Sequence, residues 1–218
     1  MAKIPEGLRR RPGKSAQEIK EAYDDNEAEE YEDVHWLKLR IADRTRRHQF
    51  DSVDGRVLDV ACGTGMNFQH VAEAAEIVGI DISADMLELA RERATELDQR
   101  VGLEQMDAQR LSFEDNSFDH VISALSTCTF PDPIEALNEM GRVCKRSGQI
   151  RLLEHHKWDC APLAKLQERS AEDEYQRVGC RLYEDPTAVV DRSDLEVVND
   201  RRWRLPPFTG IVAQPSDV

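Results

Sequence analysis

The chain lacks the features that mark membrane-spanning and exported proteins. None of its apolar runs approaches the ~20 residues that a membrane-spanning helix needs. Its first residues, Met1 to Glu6, contain no apolar signal core. We therefore expect a cytoplasmic protein whose lipid contacts, if it has any, are peripheral. Its 218 residues are enough to enclose the core of one domain.

Basic residues are in deficit. The sequence has 29 Lys and Arg against 43 Asp and Glu, for a net charge of -14. Because phosphate binding relies on a basic surface, this balance argues against a nucleic-acid partner and favours a small molecule. The one basic cluster, Arg9 to Arg11 with Lys14, lies in residues 1–14, which we interpret as a flexible arm; contact with an anionic lipid is the alternative.

Paired cysteines are also missing. The five cysteines are an odd number and show no Cys-x-x-Cys spacing, so we expect neither disulfides nor a metal site. Reduced, mostly buried thiols are the ordinary state of intracellular cysteines. Cys128 is interpreted in this way because nothing basic stands beside it, with a reactive thiol as the alternative.

One stretch combines a buried strand with a loop of small residues: Val57-Leu58-Asp59-Val60-Ala61-Cys62-Gly63-Thr64-Gly65. The apolar residues predict a parallel strand, and the two glycines lack the Cβ atoms that would keep a ligand from the backbone. A second strand, Gly79 to Ile82, carries Asp81 where a doubly wound sheet places a ribose-binding carboxylate.

The same loop argues against a dinucleotide. Gly65 is followed by Met66 to His70, so the third glycine that opens a helix for pyrophosphate is missing. Asp59 would repel phosphate and would suit a cationic group. A nucleoside that carries an amino acid fits this pattern better than NAD does.

These residues resemble the first motif of the class I S-adenosylmethionine-dependent methyltransferases. Met106-Asp107-Ala108 resembles the third cofactor motif, and residues 111–123 and 141–149 resemble the segments around the fourth and fifth strands. The resemblance covers about residues 50–155. It implies an α/β fold: a doubly wound, seven-stranded Rossmann-like sheet with an N-terminal helical lid.

We expect a single methyltransferase domain over residues 15–218, divided into a lid at 15–50, a cofactor-binding core at 51–155 and a C-terminal part at 156–218. In the lid, Ser15 and Glu18 predict a capping box that starts a helix through Glu30. A second helix, with Val34, Leu37 and Ile41 on one face, is predicted to run to about Phe50.

In the core, alternation of strands and helices predicts a parallel sheet, with strands near 101–105, 118–124 and 148–154 and a turn before the last of these. Ser83 is predicted to cap the helix after the second strand. The C-terminal part is predicted to hold a helix over Pro162 to Val178. Two final antiparallel strands should follow, one at 195–198 and one formed by Trp203 with 208–213.

Each cofactor group has predicted partners. The Asp81 carboxylate, which only accepts hydrogen bonds, suits the two ribose hydroxyls, and Ile82 with Met86 would enclose the adenine; core filling is the alternative for Met86. The resemblance implies that Asp107 meets the adenine amino group. The predicted cofactor-binding residues all lie at or beside strand ends: Asp59, Ala61, Cys62, Gly63, Gly65, Asp81, Ile82, Met86, Asp107, Ala108 and Ser123.

His155 and Tyr23 are the candidates for catalysis. His155, at the end of the fifth strand, is either a general base or a hydrogen-bonded part of the crevice wall. Tyr23 and Tyr31 resemble the paired tyrosine motif of ubiquinone-type and phospholipid methyltransferases, with a spacing one residue longer than usual. The Asn/Asp-Pro-Pro-Tyr motif is missing after the fourth strand, which counts against adenine or protein-amide methylation.

The resemblance implies a methyltransferase of the ubiquinone and menaquinone type, related to the alkyl-thiol and phospholipid methyltransferases. Its cofactor would be S-adenosylmethionine and its product S-adenosylhomocysteine. We expect a small acceptor that is apolar, thiol-bearing or quinol-like. A phosphatidylethanolamine N-methyltransferase is the first alternative, and a non-catalytic protein that binds S-adenosylmethionine to regulate a partner is another.

Overall fold

The structure is a computed structural model that describes residues 13–24, 43–51, 53–73, 75–182, 185–204 and 207–216. Helices and strands alternate along most of the chain. The helices are α1 (Ala16–Asp24), α2 (described over 43–50), α3 (Ala84–Glu96), α4 (Pro133–Val143), α5 (Ala161–Val178) and α6 (Pro186–Val190). The strands are β1 (Arg56–Val60), β2 (Glu76–Asp81), β3 (Val101–Gln105), β4 (Phe118–Ala124), β5 (Cys144–His155), β6 (Leu195–Arg204) and β7 (Pro207–Pro215).

The strands form one seven-stranded sheet in the order β3-β2-β1-β4-β5-β7-β6. Strands β1 to β5 run parallel, and β7 is antiparallel to both of its neighbours. This order confirms the predicted doubly wound sheet and its antiparallel final pair. The strand order reverses between β1 and β4, and in such sheets a ligand crevice opens at the carboxyl ends of the strands on either side of the reversal.

Core side chains cover both faces of the sheet, which is why its central strands are continuous apolar runs. Consecutive residues of β1 point to opposite faces: Leu58 belongs to a cluster with Phe118 and Leu137, whereas Val57 belongs to a second cluster with Phe68. All five of these side chains are fully buried. The two layers hold the ends of β1, β2 and β4 in fixed positions.

Two sequence predictions about the strands were wrong in detail. Strand β5 begins at Cys144, directly after α4, and the expected turn is absorbed by a register shift in which Phe118 pairs with Cys144 but His120 pairs with Gln149. Trp203 belongs to β6, where it faces Phe208 of β7. Both differences arise because pairing extends a strand beyond its apolar stretch.

The described part of the N-terminal region agrees with its prediction. The capping box is present, since the Ser15 amide donates to Glu18 at 2.8 Å and the Glu18 amide donates to the Ser15 hydroxyl at 3.3 Å. The continuation of that helix to Glu30, the face formed by residues 34–41 and the arm before residue 13 lie outside the described residues. None of the described helices combines the length and the apolar character that crossing a membrane requires.

The two glycines after β1 are required for different reasons. Both have positive φ, +54° at Gly63 and +78° at Gly65. A Cβ atom on Gly65 would lie 2.4 Å from the ring of Phe68, which is fully buried, whereas a Cβ atom on Gly63 would meet nothing within 4 Å. Gly65 therefore serves packing, and Gly63 faces open space.

Replacement of each glycine by alanine should separate these roles. Gly65→Ala adds a clash with a buried ring to the strain of a left-handed backbone, so we expect a loss of roughly 2–4 kcal/mol in the free energy of unfolding. Gly63→Ala carries the backbone strain alone and should cost about 1–2 kcal/mol. Urea unfolding of the two variants measures the difference; equal losses would contradict the packing role of Gly65.

Candidate active site

A cleft opens at the carboxyl ends of β1, β2 and β4, where the strand order reverses. Nine of the residues predicted for cofactor binding or catalysis line it: Tyr23, Ala61, Cys62, Gly63, Asp81, Ile82, Met86, Asp107 and Ala108. Asp59, Gly65, Ser123 and His155 are not among the lining residues. The structure thus brings most of the predicted site together and places four members behind or beside it.

Asp81 joins the loops that follow β1 and β2. One oxygen of its carboxylate accepts the Gly63 amide at 2.9 Å, and the other accepts the Ser83 amide at 3.0 Å. Burial raises the pKa of the Asp81 carboxyl, while these backbone hydrogen bonds act in the opposite direction. A carboxylate has about four acceptor positions, so two remain for a ligand in the cleft.

Asp59 lies beneath the cleft and is fully buried. Both of its oxygens accept hydrogen bonds from the Asn67 amide, at 3.0 and 3.2 Å. Burial raises the pKa of Asp59 to about 7, against the lowering effects of Asn67 and of the charge on Arg46. Asp59, predicted to bind the cofactor, does not line the cleft, because Asn67 and Arg46 form the surface above it.

Arg46 is the most informative residue that sequence reasoning missed. It is only 4% exposed, lines the cleft, and donates from Nε to the Asn67 side-chain oxygen at 3.1 Å. The available signal was its position four residues before Phe50, a fully buried residue on the same helix. A guanidinium stays charged at any physiological pH and matches a carboxylate in geometry, so the cleft has a cationic group at this end.

Two residues other than glycine have left-handed backbone conformations at the cleft. Ala61 follows β1 with φ +53°, and Leu125 follows β4 with φ +59°. Such conformations cost of order 1–3 kcal/mol each and concentrate at ligand sites. Both residues line the cleft, so the strained backbone occurs where two neighbouring strands end.

A layer of polar groups behind the cleft holds these loops. The Ser123 hydroxyl donates to the Val60 carbonyl at 2.6 Å and contacts the Ser126 hydroxyl at 2.5 Å, so Ser123 lies behind the cleft wall where a cofactor contact was predicted. Glu154, also fully buried, accepts the amides of Ser126 and Thr127 at 3.3 and 3.2 Å. Burial raises the pKa of Glu154.

His155 lies away from the cleft, contrary to the prediction that it faces the crevice. Its Nε2 atom is 3.2 Å from the sulfur of Cys180, and Cys128 lies in the same group. The expectation that nothing basic stands beside Cys128 was therefore wrong. The close contact with the Cys180 sulfur, together with burial, raises the pKa of the Cys128 thiol.

Helix α1 reaches the cleft through Tyr23 and Asp24. Tyr23 lines the cleft, and Asp24 accepts a 2.7 Å hydrogen bond from the hydroxyl of Ser83, the residue that caps α3. The same hydroxyl accepts the Met86 amide at 3.2 Å. The described end of α1 is thus attached beside Asp81. Tyr31, the second tyrosine of the predicted motif, lies outside the described residues.

Comparisons with known proteins agree on one family. A family model described as a methyltransferase domain matches residues 57–148. A phosphatidylethanolamine N-methyltransferase from Cereibacter sphaeroides is 34% identical over 137 residues, which cover 61% of this chain and 68% of that enzyme. A demethylmenaquinone methyltransferase from Staphylococcus aureus is 41% identical over 103 residues, or 45% of this chain and 42% of that enzyme.

Among solved structures, an S-adenosylmethionine-dependent methyltransferase from Thermotoga maritima has the same fold. It superposes with a TM-score of 0.68 at 18% identity, covering 91% of this chain and all of the other, 100%. The strand order of the sheet, the glycine loop after β1 and the sequence relatives all indicate the same family. The chain belongs to the class I S-adenosylmethionine-dependent methyltransferases.

Proposed function

We propose that this protein binds S-adenosylmethionine in the cleft and transfers its methyl group to a small, largely apolar acceptor. One observation carries the proposal. The Gly63 backbone and the Asp81 carboxylate, hydrogen-bonded to each other at 2.9 Å, face an open cleft at the reversal of the strand order. This is the position at which open α/β sheets hold a nucleoside ligand.

The nucleoside half of the cofactor has matching groups. Asp81 retains two acceptor positions for the ribose hydroxyls. Ile82 and Met86 line the adjacent wall with apolar surface for the adenine. Asp107 also lines the cleft, and its oxygens accept the Gln109 backbone amide at 2.9 Å and the Gln109 side-chain amide at 3.3 Å. We assign a remaining acceptor position of this carboxylate to the adenine amino group.

The amino acid half of the cofactor fits the opposite end. We assign its carboxylate to Arg46, since a guanidinium and a carboxylate form paired, charge-assisted hydrogen bonds. Gly63 leaves room for close approach of the chain, because a Cβ atom there would project into open space. Asp59 acts through Asn67, which it holds with two hydrogen bonds from beneath the cleft surface.

The acceptor end is mostly apolar. Ile19, Tyr23, Phe130 and Pro131 line it, and polar groups come from Ser126 and Thr129 at the end of β4. Among the described residues that line the cleft there is no histidine, lysine or glutamate to act as a base. Catalysis by orientation of the two reactants is therefore the mechanism we assign, which alone can supply a large part of a rate enhancement.

The reaction is a displacement at the methyl carbon. A lone pair of the acceptor attacks that carbon from the side opposite the sulfur, the carbon–sulfur bond breaks, and its electron pair stays on sulfur as S-adenosylhomocysteine. A proton lost by the acceptor leaves to solvent. Because no base is assigned, acceptors that are partly ionised near neutral pH, such as thiols, suit the site.

A phosphatidylethanolamine-type phospholipid is the second candidate acceptor. It is favoured by the 34% identity to an enzyme of that name, which covers 68% of that enzyme's length. The identity to the demethylmenaquinone enzyme, 41% over 103 residues, favours a quinol instead. Purified protein should be assayed for S-adenosylhomocysteine release with thiols, quinols, amines and phosphatidylethanolamine vesicles. Turnover of none of them, with the cofactor bound, would support a regulatory role and contradict the enzymatic proposal.

Loss of the Asp81 charge should weaken cofactor binding. Asp81→Asn replaces one acceptor oxygen by a donor, so a ribose hydroxyl and a backbone amide lose partners. We expect affinity for S-adenosylhomocysteine to fall by ~1–3 kcal/mol, measured by titration calorimetry. Asp85→Asn, an exposed position on the first turn of α3, is the control. Unchanged affinity in a folded Asp81→Asn protein would remove Asp81 from the ribose role.

The assignment of Arg46 is tested by comparing two ligands. Arg46→Met keeps the apolar stem but removes the guanidinium, so it should weaken S-adenosylhomocysteine, which has a carboxylate, by ~1.5–3 kcal/mol. Affinity for methylthioadenosine, which has the nucleoside but no amino acid end, should stay the same.

The neighbouring Arg47→Met, at an exposed position of the same helix, serves as control for the charge change. A parallel loss of affinity for both ligands in Arg46→Met would indicate a distorted cleft instead of a lost carboxylate contact, and would contradict the assignment.

A further inference from the structure

Three soft donor side chains converge outside the cleft: Cys128, His155 and Cys180, the Cys-His-Cys cluster. They come from the turn after β4, the last residue of β5 and the segment after α5. The sulfurs of Cys128 and Cys180 are 3.1 Å apart, and Nε2 of His155 is 3.2 Å from the Cys180 sulfur. One ligand atom from each residue lies within 4.8 Å of the other two.

We infer that the Cys-His-Cys cluster is a binding site for a thiophilic divalent cation of the zinc type. Two thiolates and an imidazole are a common ligand set for zinc, and three protein ligands leave one tetrahedral position for water or another ligand. The cofactor cleft and the methyl transfer reaction do not enter this inference.

The distances between the ligand atoms of the cluster fit a tetrahedral zinc ion after a small adjustment. Zinc–sulfur bonds of about 2.3 Å and zinc–nitrogen bonds of about 2.0–2.1 Å place the ligand atoms of a tetrahedral ion roughly 3.5–3.8 Å apart. The observed 3.1 and 3.2 Å therefore need an opening of roughly half an ångström, within the reach of small side-chain rotations. A disulfide would need the sulfurs to approach to about 2.05 Å.

The surroundings of the Cys-His-Cys cluster are apolar and leave its polar atoms short of partners. Cys128 and Cys180 are buried against Val178, with Tyr23 and Leu182 packed around them. The Nδ1 atom of His155 is buried with no hydrogen-bond partner among the described residues. Burial of the sulfurs and of Nε2 in such surroundings costs free energy, which a metal ion bound to them would offset. An ion on Nε2 leaves Nδ1 as it is.

The backbone around the Cys-His-Cys cluster is fixed by hydrogen bonds. The Arg181 amide donates to the Cys128 carbonyl at 3.0 Å, and the Arg181 side chain donates to the Phe130 carbonyl at 2.7 Å. These bonds join the segments that carry the two cysteines. The donors are thus held together before any ion binds, as a preorganised metal site requires.

The sequence alone did not predict this cluster. His155 lies 25 residues before Cys180, and the two cysteines are 52 residues apart, so no short metal-binding motif is present. The expectation of ordinary buried thiols and no metal rested on that spacing. The inference replaces that expectation for Cys128 and Cys180.

Cobalt(II) titration of the purified, reduced full-length protein tests the site. We expect one cobalt per chain, with thiolate-to-cobalt charge-transfer absorption and the intense visible bands of a tetrahedral ion, both lost when zinc is added. Cys128→Ser, Cys180→Ser and His155→Gln should each weaken binding by more than about tenfold.

Two variants serve as matched controls. Cys160→Ser removes an exposed cysteine, and His156→Gln changes the histidine that follows β5, whose Nδ1 atom lies 2.9 Å from the Thr209 hydroxyl. Both should keep the wild-type cobalt spectrum. Loss of that spectrum in Cys160→Ser, or its persistence in the Cys128→Ser/Cys180→Ser double variant, would overturn the inference.

A second measurement needs no variant. In the wild-type protein, zinc should slow alkylation of Cys128 and Cys180 by iodoacetamide under mild denaturant by at least tenfold, while Cys160 reacts at its usual rate. Peptide mass spectrometry reads each site separately. No protection by zinc, or a Cys128–Cys180 disulfide that forms in air together with no cobalt absorption, would overturn the inference.

Discussion

The hydrogen bonds accepted by the Asp81 carboxylate fix the geometry of the whole cleft. One oxygen holds the amide of Gly63 in the loop after β1, and the other holds the amide of Ser83 at the start of α3. Two neighbouring parallel strands end there, so a single side chain sets the spacing of the loops that follow them. Ser83 extends this connection to α1 through Asp24. Displacement of Asp81 would separate the glycine loop, the cap of α3 and the end of α1.

Beneath this surface lies a second layer that makes the first one rigid. Asn67 covers the buried Asp59 and is itself held by Arg46, so a charged side chain from α2 completes a wall built by β1. On the other side, Glu154 accepts the amides of Ser126 and Thr127. The loops that follow β1 and β4 are therefore supported from behind by two buried carboxyl groups, Asp59 and Glu154, neither of which lines the cleft. Preorganisation of this kind is what catalysis by orientation needs.

The sequence predicted the fold well because its strongest signals are local. The apolar runs of β1 and β2, the small residues after them and the Ser83 cap each depend on residues close together in the chain. The residues of those segments that line the cleft, such as Gly63 and Ile82, were predicted for the same reason. Gly65 shows the limit of the pattern, because its lack of a Cβ atom serves the buried ring of Phe68.

The sequence could not predict how deeply each side chain is buried, or which residues far apart in the chain come into contact. Asp59 and Ser123 lie at strand positions typical of ligand contacts. Asn67, however, covers Asp59, and the Ser123 hydroxyl donates to the Val60 carbonyl. Arg46 was missed because its contact with the cleft depends on how α2 packs on the sheet. His155 ends a strand as expected, but its environment is set by two cysteines far away in the sequence.

A crystal structure of the protein with S-adenosylhomocysteine would show whether Asp81 organises the cofactor site. Both ribose hydroxyls should lie within about 3 Å of the Asp81 carboxylate. The amino acid carboxylate should pair with Arg46, and the sulfur should point toward the apolar wall formed by Tyr23 and Phe130. A nucleoside bound elsewhere on the sheet, or a ribose without contact to Asp81, would contradict this role of Asp81.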